Sequence, residues 1–471
     1  MGKALVLNED RLFPADASSR ALCRRLYNEV KSLPIISPHG HTDPSWFADN
    51  HNFNDATSLL LLPDHYVLRM LYSQGISMQD LGLPSTDGSP YEQDPRKVWK
   101  RFASNYHLFH GTPSRMWLDY VFAKVFKLEQ RLESSTADHY FDHINEQLRQ
   151  DAFKPRALFE QYNIEVISTT ESPLDDLRHH RKILQSDWDG KVISAFRPDP
   201  VVDPDFEGFN DNINELAELS GESCDSFSTY LSALFARRAF FKSTGVTSSD
   251  HGHPSPATAD LSAQACETLY QKVRSGSHTV QDAELFRAQM LTEMAKMSIE
   301  DGLVMQIHPG SYRNHNPYLF KQFGRDKGAD IPMRTEYVEA LRPLLAKYGN
   351  HPDLSIILFT LDETTYSREL APLAGHYPAL KLGPAWWFHD SPEGMRRFRQ
   401  QVTETAGFYN TVGFNDDTRA FLSIPARHDV ARRMDCNFLS QLVVEHRMDE
   451  DEALELAVAL SYSLAKKAYK L

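Results

Sequence analysis

Short apolar segments recur eight times along the chain, and a polar cluster follows each of them. The segments are residues 33–37, 164–169, 191–196, 245–249, 302–307, 354–361, 379–383 and 408–414. Nearly continuous apolar segments are typical of strands that are buried on both faces, as in a parallel sheet. Stretches with helical periodicity separate most of them, which predicts βαβ units. Eight such units predict an α/β fold, the (β/α)8 TIM barrel.

An open, doubly wound sheet is the main alternative to the barrel. It is disfavoured because no glycine-rich loop of the dinucleotide-binding or Walker type follows any of the segments. The interval 41–164 is much longer than one crossover helix requires, and its aromatic residues have helical spacing, so we predict a helical insertion at about 45–160. Helices at about 428–471 are predicted to close the barrel. The whole chain, 1–471, is predicted to form this one domain.

Composition and charge restrict which partners and which cellular compartment we expect for this protein. The chain has 50 Lys and Arg against 64 Asp and Glu, a net charge of −14, which argues against nucleic acid and anionic membranes as partners. The 4 cysteines are far apart, so neither a disulfide framework nor a zinc module is predicted. No signal peptide and no apolar stretch of roughly 18 residues is present. We therefore expect a cytoplasmic protein without a membrane segment.

A pair of histidines, His39 and His41, stands directly after the first apolar segment. Alternate residues of an extended chain point to the same side, so the two imidazoles are expected to lie together. Asp416 and Asp417 follow the eighth segment, which neighbours the first in a closed barrel. Two imidazoles and a carboxylate are suitable ligands for one divalent metal ion. Spacing alone does not decide which of the two aspartates would bind it.

A second His-Gly-His, His251 to His253, follows the fourth segment and is a rival metal site. Asp250 and Pro254 on its two sides suggest a turn in which the histidines form hydrogen bonds. We favour the first pair, because only that pair has a carboxylate on the neighbouring eighth strand.

Several motifs, taken in order, resemble those of the uronate isomerase (glucuronate isomerase) family of the amidohydrolase superfamily. They are PHGHTD, DHYVLRML, AFRPD, SDHGH, QIHPGSYRNHN, KLGPAWWF and VGFNDDTRAFLSIPARHDVARR, and they extend over about 33–437. The resemblance implies a metal-bearing (β/α)8 barrel. It also implies interconversion of D-glucuronate with D-fructuronate, and of D-galacturonate with D-tagaturonate, by proton transfer through an enediol.

The resemblance assigns roles to individual positions. It implies one divalent ion, with zinc expected, no organic cofactor, and a homo-oligomer. The metal ligands are then His39, His41 and Asp417. The catalytic residues are Asp417, Arg419, His65 and Tyr66, and the residues that bind substrate are Arg197, His308, Arg313 and Trp386. Arginines suit this task because a guanidinium can bind a sugar carboxylate.

Two departures from the family pattern occur near these positions. Glu171-Ser172 stands where the family usually has an acidic pair, and Asp416 stands where threonine is common. Two other hypotheses remain at this point. One is a mononuclear metal-dependent hydrolase of a lactone or amide, in which Asp417 would move a proton of the attacking water. The other is a non-catalytic barrel, which is disfavoured because every candidate position carries a chemically competent residue.

Overall fold

A computed structural model describes residues 3–471, and its central feature is a curved parallel sheet. Seven strands form it in the order β1-β2-β3-β4-β5-β8-β9, while β6 and β7 form a separate antiparallel pair. The prediction of a parallel α/β fold is confirmed. The strands are β1 Ile35–Ser37, β2 Ile164–Glu171, β3 Lys191–Phe196, β4 Ser248–His251, β5 Val304–Ile307, β6 Ser311–Tyr312, β7 Ile331–Pro332, β8 Ile356–Leu358 and β9 Leu380–Leu382.

The eighth predicted strand, at 408–414, is reduced to one parallel bridge between Leu382 and Thr411. The chain forms a turn just before this bridge, in which the Thr411 N–H donates to the Phe408 carbonyl at 3.0 Å. After it, Gly413 has a φ of 76°, which an extended strand does not allow. The sheet therefore has seven strands where eight were predicted.

A backbone hydrogen bond links the segment that follows β1 to the segment beyond this bridge. The His41 N–H donates to the Thr418 carbonyl at 3.1 Å. The two ends of the curved sheet thus meet at the position where a closed barrel would place the first and last strands.

Helices fill the long interval between β1 and β2. Aromatic side chains of this interval, including Trp99, Phe102 and Phe122, are buried in a core that also contains residues of β1, β2 and β3. The division of the chain into one barrel domain with an insertion at about 45–160 stays a prediction. The helices of the interval are Pro44–Asp49, Ala56–Leu60, His65–Ser73, Pro95–Ser104, Pro113–Tyr120, Ala137–Leu148 and Pro155–Gln161.

The remaining helices cover the outside and the ends of the sheet. They are Ala17–Val30, Arg178–Leu184, Asp199–Val202, Phe209–Ser220, Phe227–Lys242, Ala263–Arg274, Val280–Asp301, Pro317–Phe323, Val338–Tyr348, Ala371–Ala374, Pro392–Ala406, Ile424–Val444, Glu450–Val458 and Leu464–Ala468. Within residues 3–471, no helix has both the length and the apolar character that a membrane crossing requires.

Candidate active site

A cavity of about 430 Å³ lies where the carboxyl ends of the parallel strands converge. This is the end of a parallel α/β sheet at which ligands bind. All ten predicted site residues line the cavity, although they come from distant parts of the chain. They are His39, His41, His65, Tyr66, Arg197, His308, Arg313, Trp386, Asp417 and Arg419.

The predicted metal ligands lie together in this cavity. The Asp417 Oδ1 atom is 3.5 Å from His39 Nε2 and 3.2 Å from His41 Nε2. This oxygen is buried and has no hydrogen-bond donor. One ligand atom from each residue lies within 4.8 Å of the others. Two imidazoles and an unsatisfied carboxylate oxygen at these distances fit a divalent cation.

The backbone and one indole turn Asp417 towards the histidines. Asp417 has a φ of 38°, a conformation that is unfavourable for a residue with a side chain and is common at functional sites. The Trp386 Nε1–H donates to Asp417 Oδ2. Asp416 instead contacts His428, with its Oδ2 3.0 Å from the imidazole Nε2. The geometry therefore favours Asp417 over Asp416 as the metal ligand.

Asp250, at the end of β4, connects two predicted substrate-binding residues. Its Oδ1 is 2.6 Å from His308 Nδ1, and its Oδ2 is 3.2 Å from Arg197 Nη1. Burial raises the pKa of the Asp250 carboxyl, but Arg197 and His308 outweigh it and hold the pKa well below its ordinary value. The buried His308 Nε2 has no hydrogen-bond partner. Asp250 was interpreted from the sequence only as part of a turn; its position at a strand end was the available signal.

The second His-Gly-His, His251 to His253, directly follows Asp250 in the chain. His251 is bonded through Nε2 to Ser249 Oγ at 3.1 Å, and His253 Nε2 is 3.9 Å from Asp199 Oδ1. In the described part of the chain, both groups of side chains that could hold a metal contain His39, and neither contains His251 or His253. The other such group is formed by His39, Asp250 and His308.

The helix His65–Ser73, in the interval between β1 and β2, brings His65 and Tyr66 to the cavity. Asp64 caps this helix by accepting from the Tyr66 N–H at 2.9 Å. The Tyr66 hydroxyl donates to Asp390 Oδ1 at 2.6 Å and accepts from the Phe388 N–H at 2.8 Å. Burial lowers the pKa of His65 to about 4, so this imidazole is neutral at pH 7. Asp390 was missed in the sequence because no spacing rule connects residues 324 positions apart.

The three predicted arginines differ in how closely they are paired with carboxylates. Arg197 is bonded to Asp199 at 2.8 Å as well as to Asp250. Arg313 forms an ion pair of 2.8 Å with Asp330. The Arg419 side chain is 41% exposed, and its ion pair with Asp326 measures 3.4 Å. Arg419 is thus the least engaged of these three guanidinium groups.

The model of the glucuronate isomerase family matches residues 13–469. The chain belongs to the glucuronate isomerase family. It is 66% identical over 467 residues to the uronate isomerase of Rhizorhabdus wittichii, covering 99% of each chain. The family resemblance and the isomerase class predicted from the sequence are therefore confirmed, and the hydrolase hypothesis is not favoured.

Two solved structures of this family have the same fold. The crystal structure of glucuronate isomerase from Caulobacter crescentus is 63% identical, with a TM-score of 0.98 and coverage of 99% of this chain and 98% of that one. The uronate isomerase of Thermotoga maritima is 28% identical, with a TM-score of 0.91 and coverage of 98% and 99%. Both structures match nearly the whole chain, including the helical interval between β1 and β2.

Proposed function

We propose that this protein is an aldose–ketose isomerase that interconverts D-glucuronate with D-fructuronate, and D-galacturonate with D-tagaturonate. The observation that carries the proposal is the grouping of His39, His41 and Asp417 beside Arg419 in one cavity, in a chain of this family. The reaction moves a proton between adjacent carbons. It requires a base and stabilisation of oxyanion charge, and it requires no redox cofactor.

His39, His41 and Asp417 would hold one divalent ion, for which we propose zinc. Zinc accepts imidazole and carboxylate ligands in sites with an open position. When bound, such an ion stabilises negative charge on sugar oxygens.

Asp417 is proposed to take the proton from C2 of the aldose and to return it at C1 of the enediol. Its Oδ1 has no donor in the structure, while its Oδ2 is held by Trp386. Oδ1 is thus the oxygen that would bind the ion with the two histidines, and Oδ2, oriented by Trp386, would take up the proton. Trp386 thereby orients the base, in addition to its proposed contact with substrate.

Positive charge in the cavity would bind the substrate carboxylate. Arg419 is the leading candidate, since its guanidinium is the least engaged. Arg197 and Arg313 would contribute to the field around the sugar, although both are paired with carboxylates. His308 offers its unpartnered Nε2 to a sugar hydroxyl, and the neutral His65 would form a further hydrogen bond.

Incubation with D-glucuronate in D2O, followed by NMR, tests the reaction and its route. We expect the ketose to appear with deuterium at C1, because a carboxylate base exchanges its proton with solvent. Unchanged aldose, with a panel of lactones hydrolysed instead, would overturn the proposed function. Ketose without deuterium, even at slow turnover, would contradict an exchanging base and leave the isomerase assignment intact.

The cellular compartment and the assembly of the enzyme are also part of the proposal. We propose a cytoplasmic homo-oligomer that acts on a small sugar acid without an organic cofactor. The net charge of −14 supports the exclusion of nucleic acid as a partner. Light scattering of the purified protein would measure the number of subunits.

A further inference from the structure

A second cavity, of about 620 Å³, adjoins the active-site cavity. Its size is in the range of cavities that hold small organic ligands. Tyr66 and Asp390 line both cavities, so these two residues lie where the cavities meet. None of the other residues proposed to bind the metal or the sugar lines the second cavity. This cavity is therefore distinct from the site proposed for catalysis.

Two positively charged side chains, Arg69 and Lys327, line the second cavity, and both are half-buried. A Cβ atom at Gly328 would lie 3.1 Å from the Arg69 Cβ, so the turn that carries Lys327 packs directly against the helix that carries Arg69. Burial lowers the pKa of the Arg69 guanidinium, which indicates that its charge is poorly compensated. Two like charges at one cavity repel each other unless an anion lies between them.

Neither cation has a carboxylate within ion-pair distance in the described part of the chain. Arg69 contacts only the backbone carbonyl of Asp330, at 3.5 Å, while the Asp330 carboxylate is paired with Arg313 at 2.8 Å. Asp390, the acid among the lining residues, is paired with Arg427 at 2.8 Å. The protein therefore supplies two cations to this cavity and no free anion to neutralise them.

The rest of the lining is mainly apolar, and it restricts what the anion can carry. The Arg69 guanidinium lies 4.6 Å from the centre of the Phe388 ring. Sugar hydroxyls would lose hydrogen bonds to water against such a surface, whereas an aromatic ring would not. The apolar lining residues include Met70, Met78, Phe109, Leu319 and Phe388.

We propose that this second cavity is a binding site for an aromatic carboxylate. The carboxylate lies between Arg69 and Lys327, where charge-assisted hydrogen bonds hold it, and the ring packs against Phe388 and the methionines. The inference goes beyond the proposed function, because neither the sugar nor the metal ion takes part in this binding.

Calorimetric titration of the full-length protein with benzoate tests the proposal. We expect binding, and a double variant with Arg69→Met and Lys327→Met should bind benzoate roughly tenfold or more weakly, because two contacts to charged donors are lost. Benzyl alcohol, which lacks the carboxylate, and D-gluconate, which lacks the ring, should displace benzoate only at concentrations about tenfold higher or more.

A double variant with Arg149→Met and Lys321→Met is the matched control. It removes the same charge, but both side chains are exposed and neither lines the cavity. Its affinity for benzoate should stay within about twofold of the unaltered value. Lys327→Glu, a single change in the turn, leaves the packing of Arg69 intact and should also weaken binding by roughly tenfold or more.

Three results would overturn this binding site. They are a Kd for benzoate weaker than about 1 mM in the unaltered protein, equal affinity in the unaltered protein and in both the double variant and Lys327→Glu, and displacement of benzoate by benzyl alcohol or D-gluconate at equal concentration. No readout depends on isomerisation, so these results are separate from those that test the proposed function.

Discussion

Two adjacent aspartates show how far the role of a residue depends on backbone conformation. Asp417 has a positive φ and faces His39 and His41, while Asp416 contacts His428. The two carboxylates are the same chemical group in adjacent positions, but they point in different directions, and Asp417 is half-buried while Asp416 is buried. Each has one oxygen without a donor, but it is Asp417 whose free Oδ1 lies 3.5 Å and 3.2 Å from the two imidazoles.

Asp417→Asn should therefore lose both bound metal and turnover. An amide is a weaker metal ligand than a carboxylate and cannot act as the base, so we expect turnover to fall more than about 100-fold. Metal content by mass spectrometry and kcat with D-glucuronate measure the two effects. Asp416→Asn is the control and should retain its metal. A loss below tenfold in Asp417→Asn, with a large loss in Asp416→Asn, would exchange the two roles.

We expect different roles for two of the arginines: Arg419 binds the substrate, and Arg197 also stabilises the folded protein. Arg419→Met should raise KM for uronates at least tenfold with little change in thermal stability, because its guanidinium is exposed and has one distant partner. Arg197→Met should lower stability as well as activity, because it leaves Asp199 and Asp250 buried without their cation. Kinetics and thermal unfolding of both variants check this. Unchanged KM in Arg419→Met would remove this residue from substrate binding.

At the scale of elements, strand β2 carries glutamates with opposite surroundings at its two ends. Glu171, at the end of the strand, has hydrogen bonds from Thr169 and Ser194 but no arginine or lysine partner within the described residues. Burial raises the pKa of its carboxyl to about 7. Glu165, near the start, accepts from Lys466 at 2.6 Å and has a lowered pKa.

The raised pKa of Glu171 predicts a loss of stability as pH increases. The ordinary value is 4.5, so between pH 4.5 and 7 the folded state keeps a proton that the unfolded state has lost. The contribution of this retained proton to the free energy of unfolding is complete below pH 4.5 and is lost as pH rises through 7. At about 1.4 kcal/mol per pKa unit, the full loss is about 3 kcal/mol. Glu171→Gln should therefore gain stability relative to the unaltered protein between pH 5 and pH 8.

Urea unfolding at both pH values measures this difference, with Glu165→Gln as the control on the same strand. Glu165 is already ionised across this range, so the control should show no such gain. An equal pH dependence in Glu171→Gln and the unaltered protein would contradict a raised pKa at Glu171.

At the scale of the whole molecule, the proposed metal ligands come from opposite ends of the sheet. His39 and His41 follow β1, whereas Asp417 lies beyond the bridge that continues the sheet past β9. An ion between them would join these two ends, which a backbone hydrogen bond from His41 to Thr418 also connects.

Chelation should consequently lower the midpoint of thermal unfolding. A ligand that binds only the folded state stabilises it by about 4 kcal/mol at 1,000 times its Kd. We expect EDTA to lower Tm by several degrees and zinc to restore it. Asp417→Asn should have a low Tm that EDTA hardly changes. A Tm of the unaltered protein that is insensitive to EDTA and zinc would contradict a metal that joins the sheet ends.

The sequence by itself determined the parallel α/β class, seven strand positions and the pairing of His39 with His41. These follow from local rules, since burial on both faces requires apolar segments and alternate residues share a side. The motifs, taken in order, identified the family.

Spacing left the choice between Asp416 and Asp417 open, and the family resemblance favoured Asp417. Tertiary structure alone decided how Asp250 connects His308 to Arg197, and that Tyr66 donates to Asp390. It also reduced the eighth segment to one bridge, where a turn and Gly413 interrupt the extended chain. Such contacts join residues tens to hundreds of positions apart. Their partners are set by the packing of the folded chain, which no local pattern of apolar and polar residues encodes.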